Sequence, residues 1–547
     1  MRMRVSFLSI LILIAPLGAQ QRQPAVKAES CSIEGQVTNA QTGEPLRKAD
    51  IVLWNTNARE QRYETTTTTG GRFVVRDIEP GRYHMSANKR GFANTEYGAN
   101  GKARSGTTLS LDPGQHLENI VLRMPPQAVI MGRALDDDGE ALPYVEIFLL
   151  RYVFERGRRR LEQWGQSISN DLGEYRMFGL SPGKYYLGAT PRDRSNPQRY
   201  DNGQDYAPVY YPGTTDPAGA KVIELHAGTL LRGIDIPMMK TRTVRVRGHV
   251  VDPTSKANVQ NVGVQMQRRD ESRDVFWENL YSGVDAQGNF EIKSVVPGAY
   301  VIVADKRGDS RPLRVQQPID VHDSDIENVV LELGQATELK GHLQIEGRSV
   351  PNLEETQIWL QPEEGAYMGG ASGRVRPDGS FTISDVQSGH HLLNVFRMSD
   401  DHYLKSARLG DQDVLESGLD ATHAIAGSLE IVLSSNGGFV EGVVLNANDQ
   451  PETGATVVLV PDEPRRGQSR YYKVVTTDQY GRFTIKAIPP GGYKLFAWEE
   501  IEDGAYENPD FLKTFEALGE PRTIREGSRE SAQLKLIPVE GKKPGPR

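Results

Sequence analysis

Ten histidines are spread through the 547 residues, and none of them has a glutamate three positions further on. A zinc site of the His-x-x-Glu kind with a distant third histidine cannot be assembled from such a set. The His-Glu-x-x-His pattern is absent as well. The nearest approach to a nucleophile elbow, Gly165-Gln166-Ser167-Ile168-Ser169, fails at its last position. Cys31 is the only cysteine, so a thiol nucleophile would have to be that residue, and no intrachain disulfide can form. Neither a P-loop nor a dinucleotide fingerprint after a strand occurs. The acidic pairs Glu354-Glu355, Glu363-Glu364 and Glu499-Glu500 invite a glycosidase dyad. That chemistry needs two carboxylates facing each other about 5–9.5 Å apart. Neighbours on a strand point to opposite faces, so these pairs read as surface charge. Asp136-Asp137-Asp138-Gly139-Glu140 lacks the spacing of a calcium loop and reads as an acidic turn. His390, His391, His402 and His423 crowd into one region, but adjacent histidines on a strand alternate faces, which works against a shared metal. The expectation is a protein without catalytic residues, metal or cofactor.

Aromatic rings offer binding rather than catalysis. Tyr200, Tyr206, Tyr210 and Tyr211 stand among Asn196, Asp201, Asn202, Gln204 and Asp205. Phe276, Trp277 and Tyr281 form a second group. Sugar faces stack on such rings while amides and carboxylates bond the hydroxyls, so both groups are candidate glycan surfaces. The competing expectation is that these rings pack their own loops or a neighbouring domain. The first group lies in a connection of 43 residues from Tyr185 to Gly228, against 31 from Tyr83 to Gly114.

The elements that must hold these residues announce themselves by repetition. Gly71, Gly173, Gly288, Gly379 and Gly481 are each followed two residues later by Phe73, Tyr175, Phe290, Phe381 or Phe483. Twelve residues after each glycine comes Tyr83, Tyr185, Tyr300, His391 or Tyr493. Four of these closing residues sit in Pro-Gly-x-Tyr, and the fourth copy has Ser388-Gly389-His390-His391 instead. An earlier glycine opens each copy: Gly35, Gly132, Gly248, Gly341 and Gly442. The turn glycines are 102, 115, 91 and 102 residues apart, a domain-sized period. Around each turn the apolar residues alternate, as in Phe73 and Val75 or Tyr83, Met85 and Ala87, which predicts half-buried antiparallel hairpins. The turn glycine supplies positive φ, and the aromatic after it fills the core. About seven short strands per copy with no convincing helix predict an all-β chain. The expected fold is five tandem Ig-like or prealbumin-like Greek-key β-sandwich domains.

The order Gly-x-Val, turn-Pro-Leu, Asp-x-x-Gly-x-Phe, Pro-Gly-x-Tyr resembles the carboxypeptidase regulatory-like domain. That family is related to Cna-B-type and transthyretin-like sandwiches and is also classed as a carbohydrate-binding-like fold. The resemblance runs from about Ser32 to Val539 and implies accessory modules without the catalyst they accompany elsewhere. Cna-B-type domains can carry an internal Lys–Asn bond, for which Lys340 and Asn436 are the nearest candidates. The implied units are 32–125, 126–240, 241–335, 336–436 and 437–540, followed by a disordered tail at 541–547.

Arg2 and Arg4 precede an apolar run from Val5 to Ala15 and the small residues Leu17-Gly18-Ala19, the pattern of a cleaved export signal spanning 1–19. That run is too short to span a bilayer, and no second one follows, so a transmembrane segment is not expected after signal removal. A secreted or periplasmic location follows. The net charge of −8 gives no footprint for nucleic acid. The densest basic cluster, Arg156, Arg158, Arg159 and Arg160, reads as a solvated hairpin loop. The resulting expectation is an exported non-enzymatic binding or structural protein with polysaccharide as its first partner. A scaffold or adhesin-like spacer contacting cell-envelope proteins is the alternative. Short joints leave both a rod and a folded-back cluster open.

Overall fold

In the computed structural model the described residues are 29–539, apart from 57–59, 100–105, 156, 192–203, 253–258, 260, 270–279, 307–312, 336, 348–352, 363–369 and 423–424. The segment expected to be an export signal, the expected tail and His423 lie outside them.

The repeat has a direct steric cause. Each opening glycine pairs across antiparallel strands with the aromatic of its own copy: Gly35 with Phe73, Gly132 with Tyr175, Gly248 with Phe290, Gly341 with Phe381 and Gly442 with Phe483. A Cβ at Gly442 would lie 2.0 Å from the Ala532 carbonyl oxygen and 2.8 Å from the Phe483 ring. At Gly35 the corresponding distances are 2.2 Å to the Ile120 oxygen and 2.6 Å to Phe73. The missing side chain lets the ring lie flat over the backbone, so the glycine and the aromatic form one packing unit. All five turn glycines have φ between 69° and 87°, the left-handed region that the turn requires.

The closing residue is a corner pin. The hydroxyls of Tyr83, Tyr185, Tyr300 and Tyr493 donate to the carbonyl oxygens of Glu79, Ser181, Val296 and Pro489, each four residues back, at 2.7–3.0 Å. His391 repeats the contact through Nε2, 2.8 Å from the Gln387 oxygen, so the departure from tyrosine in the fourth copy preserves the pin.

The first domain contains β1 (Cys31–Asn39), β2 (Asp50–Asn55), β3 (Arg62–Thr66), β4 (Arg72–Ile78), β5 (Gly81–Asn88), β6 (Thr95–Glu96), β7 (Leu109–Leu111) and β8 (His116–Met124). In one sheet β1 lies between antiparallel β4 and parallel β8. The other runs β3-β2-β5, with β6 and β7 along the far side of β5. The same arrangement recurs. In the fifth domain Gly438–Leu445 lies between antiparallel Arg482–Ile488 and parallel Arg529–Lys535. Val244–Val251 in the third and Thr337–Glu346 in the fourth are placed likewise. In the second, two short strands, Leu230–Leu231 and Ile236–Pro237, take the parallel position beside Ala128–Leu135. Five separate apolar cores result, centred for example on Ile51 and Tyr83, Ile147 and Tyr185, Ile302 and Tyr300, Ile358 and Phe381, and Leu459 and Tyr493. Cys31 is buried at the rim of the first, its thiol directed to the Asp112 oxygen at 3.1 Å.

Two features depart from the sequence expectation. A helix, Pro509–Phe515, fills the connection after Gly491–Trp498 in the fifth domain. Its start is set by Asn508, whose side chain accepts from the Phe511 N–H at 2.9 Å, with proline in the first turn. Every copy also carries a β-bulge six residues before the corner, with a left-handed residue at Asp77, Gly179, Ser294, Asp385 and Ala487. Only one of these is glycine, so the bulge leaves little compositional trace.

The chain folds back on itself. The Gln479 amide accepts from the Ser110 N–H at 3.0 Å and donates to the Ser110 oxygen at 2.7 Å, joining the fifth sandwich to the first. Gln115 to Tyr480 and Thr476 to Gly106 reinforce that joint. Lys405 links Glu346 of its own domain to Glu526 of the fifth at 2.8 and 2.7 Å. Among the described residues no helix is long and apolar enough to cross a membrane.

Candidate functional site

The tyrosines singled out in the long connection are packing residues. Tyr206 is 7% exposed and Tyr210 1%, so neither presents a ring face to a sugar. Tyr210 sits in the strand Val209–Tyr210, which extends the sheet beside Gly183–Pro191 and joins Phe148, Leu150 and Leu161 in an apolar cluster. Tyr206 lies in the ribbon Gln204–Ala207 paired with Met239–Arg242, with the Lys240 ammonium 5.7 Å from its ring. Tyr211 is half-buried against the second core. Within the described part of the connection, Gln204–Ala207 and Val209–Tyr210 are strands. Tyr200, Phe276 and Trp277 lie outside the described residues. Tyr281 is 63% exposed, on the strand Leu280–Gly283, with its ring over Gly263.

The polar motifs resolve as structure. Asp136 accepts the N–H groups of Asp138 and Glu140, and Asp137 pairs with Lys240 at 2.6 Å. The three aspartates could approach one ion, but a lysine already occupies the cluster. His390 is exposed and His391 buried, on opposite faces as alternation requires. Glu354 and Glu355 lie in a short 3-10 turn, Leu353–Glu355, rather than on a strand, and both are exposed. Lys340 is exposed beside Glu338 at 3.7 Å.

A group of half-buried aromatics lies where the second and fifth sandwiches meet. The strand Val145–Glu155 pairs with Arg158–Ile168, of equal length, along a hairpin whose tip reaches the fifth domain. There the Gly157 oxygen accepts from Asn508 Nδ2 at 2.9 Å. A Cβ on Gly157 would lie 2.5 Å from the Glu507 oxygen. The tip of the basic hairpin is therefore docked rather than solvated: its glycine permits a close backbone approach that a loop in water would not need. Phe154 packs into an apolar cluster of the fifth domain containing Val458, Val460, Phe496, Trp498 and Leu512.

Beside this joint lies a cleft of about 630 Å³. Tyr152 and Tyr186 line one wall, edge to face at 4.9 Å, with the Arg159 guanidinium 3.7 Å above Tyr152. The other wall holds the helix residues Phe511 and Phe515, 5.0 Å apart, backed by buried Trp498, which stacks on Phe496 at 5.1 Å. Glu516 fixes that helix to the sheet by bonding Arg466 twice and Lys494 at 2.6 Å. These cations hold its carboxyl well below the usual range, at about 2. Arg151, Arg159 and Lys184 are balanced around the cleft by Glu224, Glu500 and Glu502. A second hollow of about 900 Å³, towards the third sandwich, is lined by Tyr152, Tyr210, Asp216, Lys240, Arg268 and Asp323 among others. Aromatic faces bordered by carboxylates, guanidinium and ammonium groups suit a hydroxyl-rich ligand. The sequence carried a signal for this site: Thr456–Pro461 is apolar on both faces, and Tyr152 to Phe154 prolong an already apolar strand, so the outer faces had to be covered.

These sandwiches define a tandem array of one small β module. Residues 32–123 match the family model of the carboxypeptidase regulatory-like domain. The later sandwiches repeat its glycine–aromatic pairing and its corner, which is consistent with a tandem series of such domains. Three solved structures are similar. The Bacillus anthracis TIE protein is 14% identical at TM-score 0.16, covering 56% of this chain, which spans about half of it, 51%. A streptococcal ancillary pilin is 14% identical at TM-score 0.21, with 56% of this chain and 99% of the pilin covered. The Bacillus cereus major pilin subunit is 11% identical at TM-score 0.14, with 76% and 100% covered. No curated protein matches the chain.

Proposed function

We propose that this is an exported, non-enzymatic binding protein that holds polysaccharide in the cleft between its second and fifth sandwiches. The observation that carries the reading is the pairing of Tyr152 and Tyr186 with Phe511 and Phe515 across one hollow. Residues more than 300 positions apart contribute to it, so ligand and domain arrangement are coupled. The spacer alternative requires an extended chain, and the clasp of Gln479 on Ser110 favours the folded-back form.

The test is retention of the full chain on a panel of immobilised polysaccharides and a glycan array. The expected outcome is selective retention, weakened about tenfold or more by Tyr186→Ala or Phe515→Ala, which corresponds to about 1.4 kcal/mol for the lost stacking face. Both rings are half-buried, so the thermal midpoints should fall modestly, and retention is measured well below them. A parent chain retained on no polysaccharide would sink the reading.

A further inference from the structure

Tyr152 borders both hollows of the second sandwich. Its ring projects from the same face of its strand as Phe148 and Leu150, the apolar outer face, where Tyr186 supports it edge-on. One hollow extends from it towards the fifth sandwich and the other towards the third. A single ring lining both places the two hollows side by side on one face of the sandwich. Together the two volumes exceed the roughly 300–1,000 Å³ of small-molecule sites, so a compact ligand would leave much of the groove unfilled. The charges cancel within each half. Towards the third sandwich, Lys240 and Arg268 are matched by Asp216 and Asp323. Towards the fifth, three cations are matched by three carboxylates. A balanced lining offers hydroxyls many hydrogen-bond partners and exerts no net pull on a polyanion or polycation.

We infer that the two hollows are one groove across the outer face of the second sandwich, with subsites on both sides of Tyr152, for a linear uncharged polysaccharide. The inference rests on the glycan reading above and adds chain length and charge to it.

The experiment is calorimetric titration of the full chain with gluco-, manno- and xylo-oligosaccharide ladders from disaccharide to octasaccharide. A uronic-acid ladder and a salt series run alongside. Affinity for at least one neutral ladder should rise about tenfold or more beyond the trisaccharide, because subsites joined by one chain act together. Met239→Arg, at an exposed position of the far hollow, should remove that gain and leave short-chain affinity unchanged, with the thermal midpoint confirming the fold. Tyr152→Ala should weaken short and long chains alike. A plateau at the trisaccharide, with Met239→Arg indifferent, would overturn the continuous groove while the glycan reading stands. Tighter binding of the uronic ladder with steep salt dependence overturns the uncharged ligand. Binding of no ladder at all overturns both this inference and the reading beneath it.

Discussion

The second strand of the first sandwich, Asp50–Asn55, alternates between buried and more exposed positions, while its counterpart in the fifth, Thr456–Pro461, is buried at every position. Inward, the two are alike: Ile51 and Leu53 correspond to Val457 and Leu459 in the respective cores. Outward they differ, since Val52 and Trp54 remain half-buried where Val458 and Val460 lie beneath Trp498 and the Pro509–Phe515 helix. The inner face makes a sandwich, and the outer face decides what that sandwich meets. Substitutions on the two faces should accordingly fail in different ways.

The largest effect belongs to the inner face. Gly442→Val places a branched side chain where even a Cβ stands 2.0 Å from the Ala532 oxygen, so the parallel strand must separate or the Phe483 ring must leave. The expected cost is about 3 kcal/mol or more, seen as early unfolding of the fifth sandwich in calorimetry. An unchanged thermogram would mean that the glycine–aromatic unit is not what organises the repeat.

Phe154→Ala addresses the outer face. The ring is half-buried in the fifth domain's outer cluster, so its removal should cost about 2 kcal/mol at the joint, below the roughly 3–5 kcal/mol of a fully buried phenylalanine. Both cores should persist, because Phe154 belongs to neither. Small-angle scattering should show a larger radius of gyration, and protease should cut the hairpin near Gly157. An unchanged radius would show that the polar clasp at Ser110 and Gln479 holds the closed form alone.

That division explains what could be read from the residues. The inner faces were legible because each sandwich repeats the same solution: a turn glycine, an aromatic opposite a second glycine, and a corner residue at fixed spacing. The bulge at Asp77 and Ala487 was not, since a left-handed residue without glycine carries no compositional mark. The Pro509–Phe515 helix was hidden for another reason: about two turns of helix are too short for periodicity, and only Asn508-Pro509 marks its start. The packing of Tyr206 and Tyr210 was hidden in a similar way. Tyrosines in a long polar connection resemble an exposed platform, yet Tyr206 and Tyr210 are consumed by the strands that the connection forms. Which outer faces meet depends on contacts across hundreds of residues, and those leave only an indirect trace, the loss of alternation in Thr456–Pro461.

The fourth corner separates the copies most finely. Burial lowers the His391 pKa below 6.5, the hydrogen bond to the Gln387 oxygen pulls it back in part, and His390 lowers it further. Burial instead raises the corners Tyr83, Tyr185 and Tyr493, Tyr83 to about 12, so these three stay neutral throughout the physiological range. With Nε2 donating to the carbonyl, Nδ1 carries the lone pair and has no hydrogen-bond partner among the described residues. The folded-state pKa lies below the unfolded value, so the full contribution of His391 stands above about pH 6.5. As the pH falls below that, the unfolded chain takes the proton first, and stability declines until the folded pKa is passed. His391→Phe removes this titration along with one hydrogen bond. At pH 8 it should cost about 1 kcal/mol, the net value of a buried hydrogen bond. Between pH 6.5 and 5 the parent's midpoint should fall towards that of the variant, because the other nine histidines are common to both. Parallel pH profiles for the two proteins would show that the histidine corner is as insensitive to acid as the tyrosine corners it replaces.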